Sequence, residues 1–211
     1  MAIDGIIYRH SPDRRKQNYD VSFFGDTIAT TVTHDPEAVT EWITLTEELN
    51  LDVDQVIVGL DAEWRPSYTG SSMRNPVAVV QICVGDRCLI YQIIHSRYIP
   101  DALRDFFFHE NYIFVGVGVN DDLEKLVCDY EIGNNARFWE LGEIAADTYD
   151  IPELECAGLN RLANFVLDKD MEKSRRVTMS RWDWRRLTAE QIKYACLDAF
   201  VSFEIGRVLN T

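Results

Sequence analysis

Val56–Trp64 reads VIVGLDAEW and places two carboxylates at the end of a short apolar run. An apolar run of this length is typical of a buried β-strand. Side chains two residues apart on a strand point to the same face, so Asp61 and Glu63 are expected to project together. Two like charges behind a buried strand destabilise it unless a cation or hydrogen bonds compensate them. In a chain with 35 acidic residues such a pair also arises by chance, so the stretch alone is weak evidence.

A second pair of acids follows an apolar stretch and two glycines. Residues 112–117 have the pattern of a further strand, and after Gly118 the apolar spacing becomes helical. Asp121 and Asp122 then fall in the first turn of the predicted helix, where Asp commonly caps the helix or complements its dipole. A phosphate-binding loop is excluded, because two acids occupy the place where an anion would bind.

The last predicted helix carries a tyrosine and an aspartate one turn apart. This helix is expected to begin near Thr188, as the N-cap, and its residues are largely apolar. Tyr194 and Asp198 share one face, because residues four apart are neighbours on a helix. A core tyrosine bonded to a neighbouring acid is an equally good interpretation of the pair taken alone.

Four acids at the ends of elements or on a buried helix have one common explanation. They can converge on two divalent cations about 4 Å apart, as in enzymes that cleave phosphodiesters. Ligands that are all oxygens favour Mg²⁺ or Mn²⁺ over zinc. The predicted metal ligands are Asp61, Glu63, Asp122 and Asp198.

The overall charge of the chain is unusual for a protein that acts on nucleic acid. The 211 residues carry 35 acidic and 21 basic side chains, a net charge of −14, whereas affinity for a polyanion normally rests on Lys and Arg. Basic charge is concentrated in residues 169–186, which hold seven Lys and Arg against three acidic residues. Contact with a strand end is therefore expected, rather than tight, non-specific binding along a duplex.

Cysteine usage and hydropathy indicate the compartment. The five cysteines include no C-x-x-C pair, which argues against a disulfide framework and against a zinc finger. No apolar run approaches the roughly 20 residues that span a bilayer, and the start of the chain lacks a secretory signal. A nuclear or cytoplasmic protein with no membrane partner is predicted.

The remaining pattern predicts an α/β fold with a mixed sheet flanked by helices. Residues 1–19 are polar without a clear period and predict a loose arm, whereas residues 20–211 predict a single domain. An alternating segment around Gly25 and Asp26 predicts a hairpin, and Asp35 followed by Pro36 predicts a helix start. That helix is expected to bury Val39, Trp42, Ile43, Leu45 and Leu49.

The three acidic motifs, in this order and with these intervals, resemble those of the DEDD exonuclease superfamily. The segments concerned are VGLDAEW at 58–64, VGVG at 115–118 with Asp122, and YACLDA at 194–199. Over residues 54–209 the chain is most similar to the Werner-syndrome-type exonuclease domain, in its small plant-like, stand-alone version, and more distantly to ribonuclease D. Ser180-Arg181-Trp182 is similar to the family's serine-asparagine-tryptophan pattern, with Arg in place of Asn.

The resemblance implies a ribonuclease-H-like fold and 3′-5′ exonuclease activity on DNA or RNA ends. It implies that Asp61, Glu63 and Asp198 hold one metal ion, and that Asp61 and, through water, Asp122 hold the other. Tyr194 would orient the attacking water, since a phenol with a pKa near 10 is a poor base. The histidine subclass would need His at position 193, which is Lys. Asp121 is the alternative to Asp122.

Contacts with the nucleic acid are expected from aromatic and basic residues beside the motifs. The candidates are Trp64, Arg175, Arg176, Arg181 and Trp182, with Met73 and Arg74 as further candidates for contact with the 3′ end of the nucleic acid. A core tryptophan and a solvated loop are the simpler interpretations of these residues. A catalytically silent nucleic-acid-binding or scaffolding domain and ribonuclease-D-like RNA trimming are the competing functions. A separate helicase, other protein partners and self-association stay open.

Overall fold

The computed structural model describes residues 5–67, 75–171 and 174–210. Within these ranges the strands are β1 Ile6–Arg9, β2 Lys16–Phe23, β3 Asp26–Thr33, β4 Val56–Trp64, β5 Val77–Val84, β6 Arg87–Tyr91, β7 Tyr112–Gly116 and β8 Arg137–Glu140. The helices are α1 Pro36–Leu49, α2 Asp101–Phe108, α3 Val119–Tyr130, α4 Leu141–Tyr149, α5 Leu159–Leu167, α6 Arg175–Thr178 and α7 Ala189–Leu209. Two short 3₁₀ turns cover Ile93–His95 and Pro152–Leu154.

The strands form one mixed sheet in the order β1-β2-β3-β6-β5-β4-β7-β8. Strand β4 lies near its centre, antiparallel to β5 and parallel to β7. One face of the sheet packs against α4, α5 and α7, and the other against α1, α2 and α3. The predicted α/β fold, a mixed sheet flanked by helices, is confirmed. No helix in the described part of the chain is long and apolar enough to cross a membrane.

The predicted hairpin and helix start are present, although the buried face predicted for helix α1 was too wide. Strands β2 and β3 pair antiparallel around Phe24 and Gly25, and the Asp35 carboxylate accepts a hydrogen bond from the backbone N–H of Ala38 at the start of α1. Leu45 and Leu49 are exposed rather than buried. The buried face of α1 runs instead through residues 39, 42, 43 and 46, because residues three and four apart share a face.

The loose arm expected over residues 1–19 is wrong for residues 6–9 and 16–19. Ile6–Arg9 pairs with β2, and β2 begins at Lys16. Strand β1 is an edge strand with a largely exposed burial pattern. A strand without a buried face carries no apolar alternation, so its sequence does not differ from that of a polar arm.

Strand β4 is longer than its apolar run predicts. It continues to Trp64, so Asp61 and Glu63 lie within the strand and not behind it. Beyond residue 60 the pairing with β5 continues, with Asp61 opposite Gln81, while β7 has already ended at Gly116. The acids therefore lie where one neighbouring strand stops and leaves room for α3.

Candidate active site

Helix α7 lies against strand β4 at nearly backbone contact. A Cβ atom at position 59 would lie 2.0 Å from the carbonyl oxygen of Ala199, so glycine is the residue that fits there. This contact places the buried Asp198 beside the face of β4 that carries Asp61 and Glu63, because alternate residues of a strand share a face. The close approach of two backbones thus brings the first and third acidic motifs together.

Helix α3 brings the second motif to the same place. A Cβ at Gly116 would lie 2.7 Å from the carbonyl oxygen of Leu60, so this glycine lets the chain turn beside β4. Asp122 is 8% exposed, and the backbone N–H of Ala62 donates a hydrogen bond to its carboxylate. Burial and then the charge of Asp61 raise the pKa of Asp122 well above its ordinary value.

The structure distinguishes the two adjacent aspartates. Asp122 points into the site beside Asp61, whereas Asp121 is exposed and acts on Asp122 only through its charge. Glu140 adds a further negative charge, because it accepts a hydrogen bond from the backbone N–H of Gly118 and repels Asp122. Glu140 lies at the end of β8, outside any motif, so no local pattern identifies it.

Tyr194 is held in the same group by its neighbours on three sides. Burial, and then the charge of Asp198, raise its pKa far above the ordinary value for a phenol, and Glu63 adds to the shift. The hydroxyl of Thr178 donates a hydrogen bond to Tyr194 Oη over 3.5 Å. The ring centroid lies 6.0 Å from that of Trp182. Tyr194 therefore stays protonated at neutral pH and acts as a hydrogen-bond donor.

Gln81 lies next to Asp61 in the sheet and belongs to none of the motifs. It lies opposite Asp61 in the register of β4 and β5 and is fully buried. Neither polar atom of its amide has a hydrogen-bond partner among the described residues. A buried polar group without a hydrogen-bond partner destabilises the folded state by about 1 to 3 kcal/mol. The fold tolerates this destabilisation at the position next to Asp61. The signal in the sequence is a single glutamine within an otherwise apolar strand.

The two tryptophans expected to contact nucleic acid differ in exposure. Trp64 is half-buried, with Lys125 Nζ 5.2 Å from its ring centroid. Trp182 is fully buried, and its indole N–H donates to the carbonyl of Thr178. The expected contact of Trp182 with a strand is wrong, because its ring packs inside the protein and supports Tyr194.

The basic residues before α7 are also unequal. Arg181 forms an ion pair with Asp183 over 3.0 Å, so its charge is partly neutralised. Arg175 and Arg176 are exposed, and Arg176 lines a cleft of about 620 Å³ together with Tyr194. Residues 73 and 74, which were also candidates, lie outside the described residues.

The donor set suits a hard divalent cation. In the described ranges, no three or more His, Cys, Asp or Glu side chains already stand close enough to hold a metal ion. The carboxylates nevertheless repel one another, because Asp61 and Glu140 both raise the pKa of the buried Asp122. A cation would offset this repulsion, and oxygen donors alone favour Mg²⁺ or Mn²⁺.

Comparison with known sequences identifies the family of the chain. A family model described as "3′-5′ exonuclease" matches residues 31–211. A 3′-5′ exonuclease of Arabidopsis thaliana is 29% identical over 207 residues, covering 93% of this chain and 68% of that protein. One from Drosophila persimilis is 31% identical over 208 residues, covering 97% and 54%. The bifunctional exonuclease and helicase WRN of Mus musculus is 31% identical over 171 residues, covering 79% of this chain and 12% of that protein.

Solved structures share the fold at lower sequence identity. Ribonuclease D of Escherichia coli has a TM-score of 0.69 at 14% identity, covering 85% of this chain and 44% of that one. The exonuclease domain of Aedes aegypti Nibbler has a TM-score of 0.65 at 20% identity, covering 85% and 86%. The resemblance to Werner-type domains, and more distantly to ribonuclease D, is confirmed. The chain belongs to the 3′-5′ exonuclease family.

Proposed function

We propose that this chain removes nucleotides from the 3′ ends of DNA or RNA by phosphodiester hydrolysis, with two divalent cations, Mg²⁺ or Mn²⁺, as cofactors. The observation that carries the proposal is the convergence of α3 and α7 on strand β4. Asp122 reaches Asp61 from one side and Asp198 approaches from the other. The proposal includes a nuclear or cytoplasmic location.

The four acids divide into two sets of ligands in this proposal. Asp61, Glu63 and Asp198 would hold one cation, and Asp61 with Asp122, the latter through water, would hold the other. When bound, such cations neutralise developing charge and acidify the attacking water. The acids themselves supply a buried negative site, as the raised pKa of Asp122 indicates. This arrangement accounts for four carboxylates that would otherwise only destabilise the fold.

Tyr194 would orient the attacking water. Its raised pKa keeps the phenol protonated, so it donates a hydrogen bond and does not act as the base. Trp182 and Thr178 restrict the ring and the hydroxyl, which lowers the entropy lost when a water is positioned.

The strand itself would meet exposed groups around this centre. Arg176 lines the cleft that contains Tyr194 and is the best placed. The half-buried Trp64, on the face of the sheet that packs against α3, and the exposed Arg175 and Arg181 are the further candidates. Nothing in these contacts depends on the sugar, so both DNA and RNA are included. A helicase partner and self-association stay predictions. The presence of all four carboxylates argues against a catalytically silent domain.

The test uses single-stranded and recessed DNA and RNA oligonucleotides labelled at the 5′ or the 3′ end. We expect a ladder that shortens from the 3′ end with Mg²⁺ or Mn²⁺, and no ladder with EDTA. The Asp61→Ala/Glu63→Ala variant, folded by circular dichroism, should be inactive. Absence of cleavage by folded wild-type protein on every substrate and with both metals would overturn the proposal and favour the binding domain.

A further inference from the structure

A basic cleft lies at the same end of the sheet as the acidic centre. It has a volume of about 390 Å³, and no acidic residue is among the described residues that line it. Five of the lining residues are basic: Arg14, Arg15, Lys16, Arg185 and Arg186. In a chain with a net charge of −14, this concentration of positive charge marks a site for an anion.

Two of the five cations are already paired. Arg15 and Lys16 both form ion pairs with Asp13 and Glu41, at distances between 2.6 and 3.7 Å. These pairs hold the start of β2 against α1. Arg15 and Lys16 therefore form part of the wall of the cleft, but acidic partners largely neutralise their charge.

The charges of the other three cations are not neutralised by an ion pair in the described ranges. Arg14, Arg185 and Arg186 are exposed and form no ion pair with any residue in the described ranges. Arg185 lies 3.4 Å from Nε2 of His34. Burial is the largest cause that lowers the pKa of His34, and the guanidinium of Arg185 lowers this pKa further.

The sheet register connects this cleft to the acidic centre. A continuous row of paired residues crosses five strands: Asp61, Gln81, Ile90, Val32 and Gln17. Strands lie about 4.8 Å apart, so β3 and β2 lie about 14 and 19 Å from β4. Val32, which lines the cleft, packs on the same face of the sheet as α7. The cleft and the acids therefore share one face and one end.

We propose that this basic cleft binds a backbone phosphate of the substrate strand, several nucleotides on the 5′ side of the cleaved bond. The proposal rests on the proposed exonuclease function, because it places the strand end at Asp61. At about 3.4 Å per stacked nucleotide, the separation corresponds to about four to six nucleotides. The ligand is the phosphodiester, which DNA and RNA share, so the cleft contributes affinity without reading the base.

The cleft depends on two segments that are distant in the sequence. Arg14 lies before residue 31, where the family match begins, and reaches the cleft because β2 pairs with β3. Arg185 and Arg186 immediately precede α7, the helix that carries Tyr194. A strand bound in the cleft would thus be aligned with the helix that completes the acidic centre.

The test is a scan with neutral linkages. A series of single-stranded 12-mers each carries one methylphosphonate, at successive positions from the second linkage inward, and the removal rate of the 3′-terminal nucleotide is measured. For the wild type we expect a slower rate, about threefold to tenfold, at one position between the fourth and sixth linkages. In Arg185→Gln/Arg186→Gln a methylphosphonate at this position should no longer slow removal of the 3′-terminal nucleotide. The removal rate should instead be lower by the same factor for every 12-mer of the series.

A matched control removes two charges at the other end of the sheet. Arg137 is aligned with the start of β7, and Arg207 lies near the end of α7. Arg137→Gln/Arg207→Gln has the same charge change and should keep the wild-type profile. Thermal unfolding shows whether the cleft variant is folded. If it is not, Arg14→Gln replaces it, because the side chain of Arg14 is exposed.

Binding separates this proposal from the proposed function. Fluorescence anisotropy of a labelled 12-mer in EDTA should show a slope of log Kd against log salt that is lower by about 1 to 2 in the cleft variant. A flat methylphosphonate profile, or a cleft variant with the wild-type profile and salt slope, would overturn the proposal. If nothing is hydrolysed but the salt slope still changes, the exonuclease function fails and the phosphate site stands.

Discussion

The acidic centre and the basic cleft share one end of the sheet but differ in how they are built. Asp122 and Asp198 are buried, and backbone contact at Gly59 fixes the distance between strand β4 and helix α7. The arginines of the cleft are exposed and come from segments far apart in the chain. Buried charge depends strongly on position, because its surroundings screen it little, whereas exposed charges act through their number and are screened by salt. Substitutions should therefore act sharply in the centre and gradually, with salt dependence, in the cleft.

The largest effect is expected from a pair of neighbouring aspartates. Asp122→Asn should lower kcat by about 10²- to 10³-fold, because it removes a buried charge from the reaction site. Asp121→Asn should stay within about twofold, because that side chain is exposed. Single-turnover hydrolysis of one oligonucleotide measures both. Equal losses would mean that position in the site does not distinguish the two acids.

Gly59→Ala tests the backbone contact that assembles the centre. The added Cβ would lie 2.0 Å from the Ala199 carbonyl, and overpacking of this kind lowers the free energy of unfolding by about 1 to 3 kcal/mol or more. Urea unfolding measures the change. Gly158→Ala is the matched control, since a Cβ there meets no atom within 4 Å, and it should change stability by less than about 0.5 kcal/mol. If Gly59→Ala matched this control, α7 would not depend on close contact.

Tyr194→Phe tests the role of the phenol. Loss of the oriented hydroxyl should reduce kcat by about 10- to 100-fold with little change in KM. The pH profile should keep its shape, because a phenol with a strongly raised pKa does not titrate in the working range. Loss of a basic limb in the variant would show instead that Tyr194 acts as a base.

Two adjacent arginines should separate a site contact from a bystander. Arg176 lines the cleft that contains Tyr194, whereas Arg175 is not among its lining residues. Arg176→Ala should raise KM about threefold to tenfold at low salt, and less at high salt. Arg175→Ala should change KM by less than about twofold. Equal changes in KM would mean that both arginines act through a diffuse positive surface charge, as the arginines of the basic cleft do.

The smallest effect concerns stability without metal. The folded-state pKa of Asp122 is raised above its unfolded value of about 3.9, so ionisation of this residue opposes folding. Relative to Asp122→Asn, the wild type should be most stable below about pH 4 and should lose stability as pH rises through the folded-state pKa. Thermal unfolding in EDTA from pH 4 to 8 measures this. A constant difference would show that Asp122 is not held against other charges.

Several features of the molecule follow from short segments of sequence. The spacing of Tyr194 and Asp198, the alternation of Asp61 and Glu63, and the cap at Thr188 are local. The N-cap predicted at Thr188 is present, and Gln191 completes a capping box with it. Local geometry repeats with a fixed period in helices and strands, so such residues can be assigned to faces without a structure.

Other features depend on where distant segments meet. The sequence left Trp182 as a candidate contact, but its ring is fully buried in the core beside Tyr194. Residues 1–19 predicted a loose arm, since an edge strand shows no apolar period, yet their pairing builds one wall of the basic cleft.

By itself the sequence determined the family motifs, the α/β class and the four acids, because buried charges and periodic apolar residues leave local patterns. The sequence favoured Asp122 over Asp121, but only the tertiary structure placed Asp122 beside Asp61 and brought Arg14 into one cleft with Arg185 and Arg186. The physical reason is that exposed residues follow no period. Their neighbours are set by the rotation of α3 and by the strand order, which long-range pairing determines.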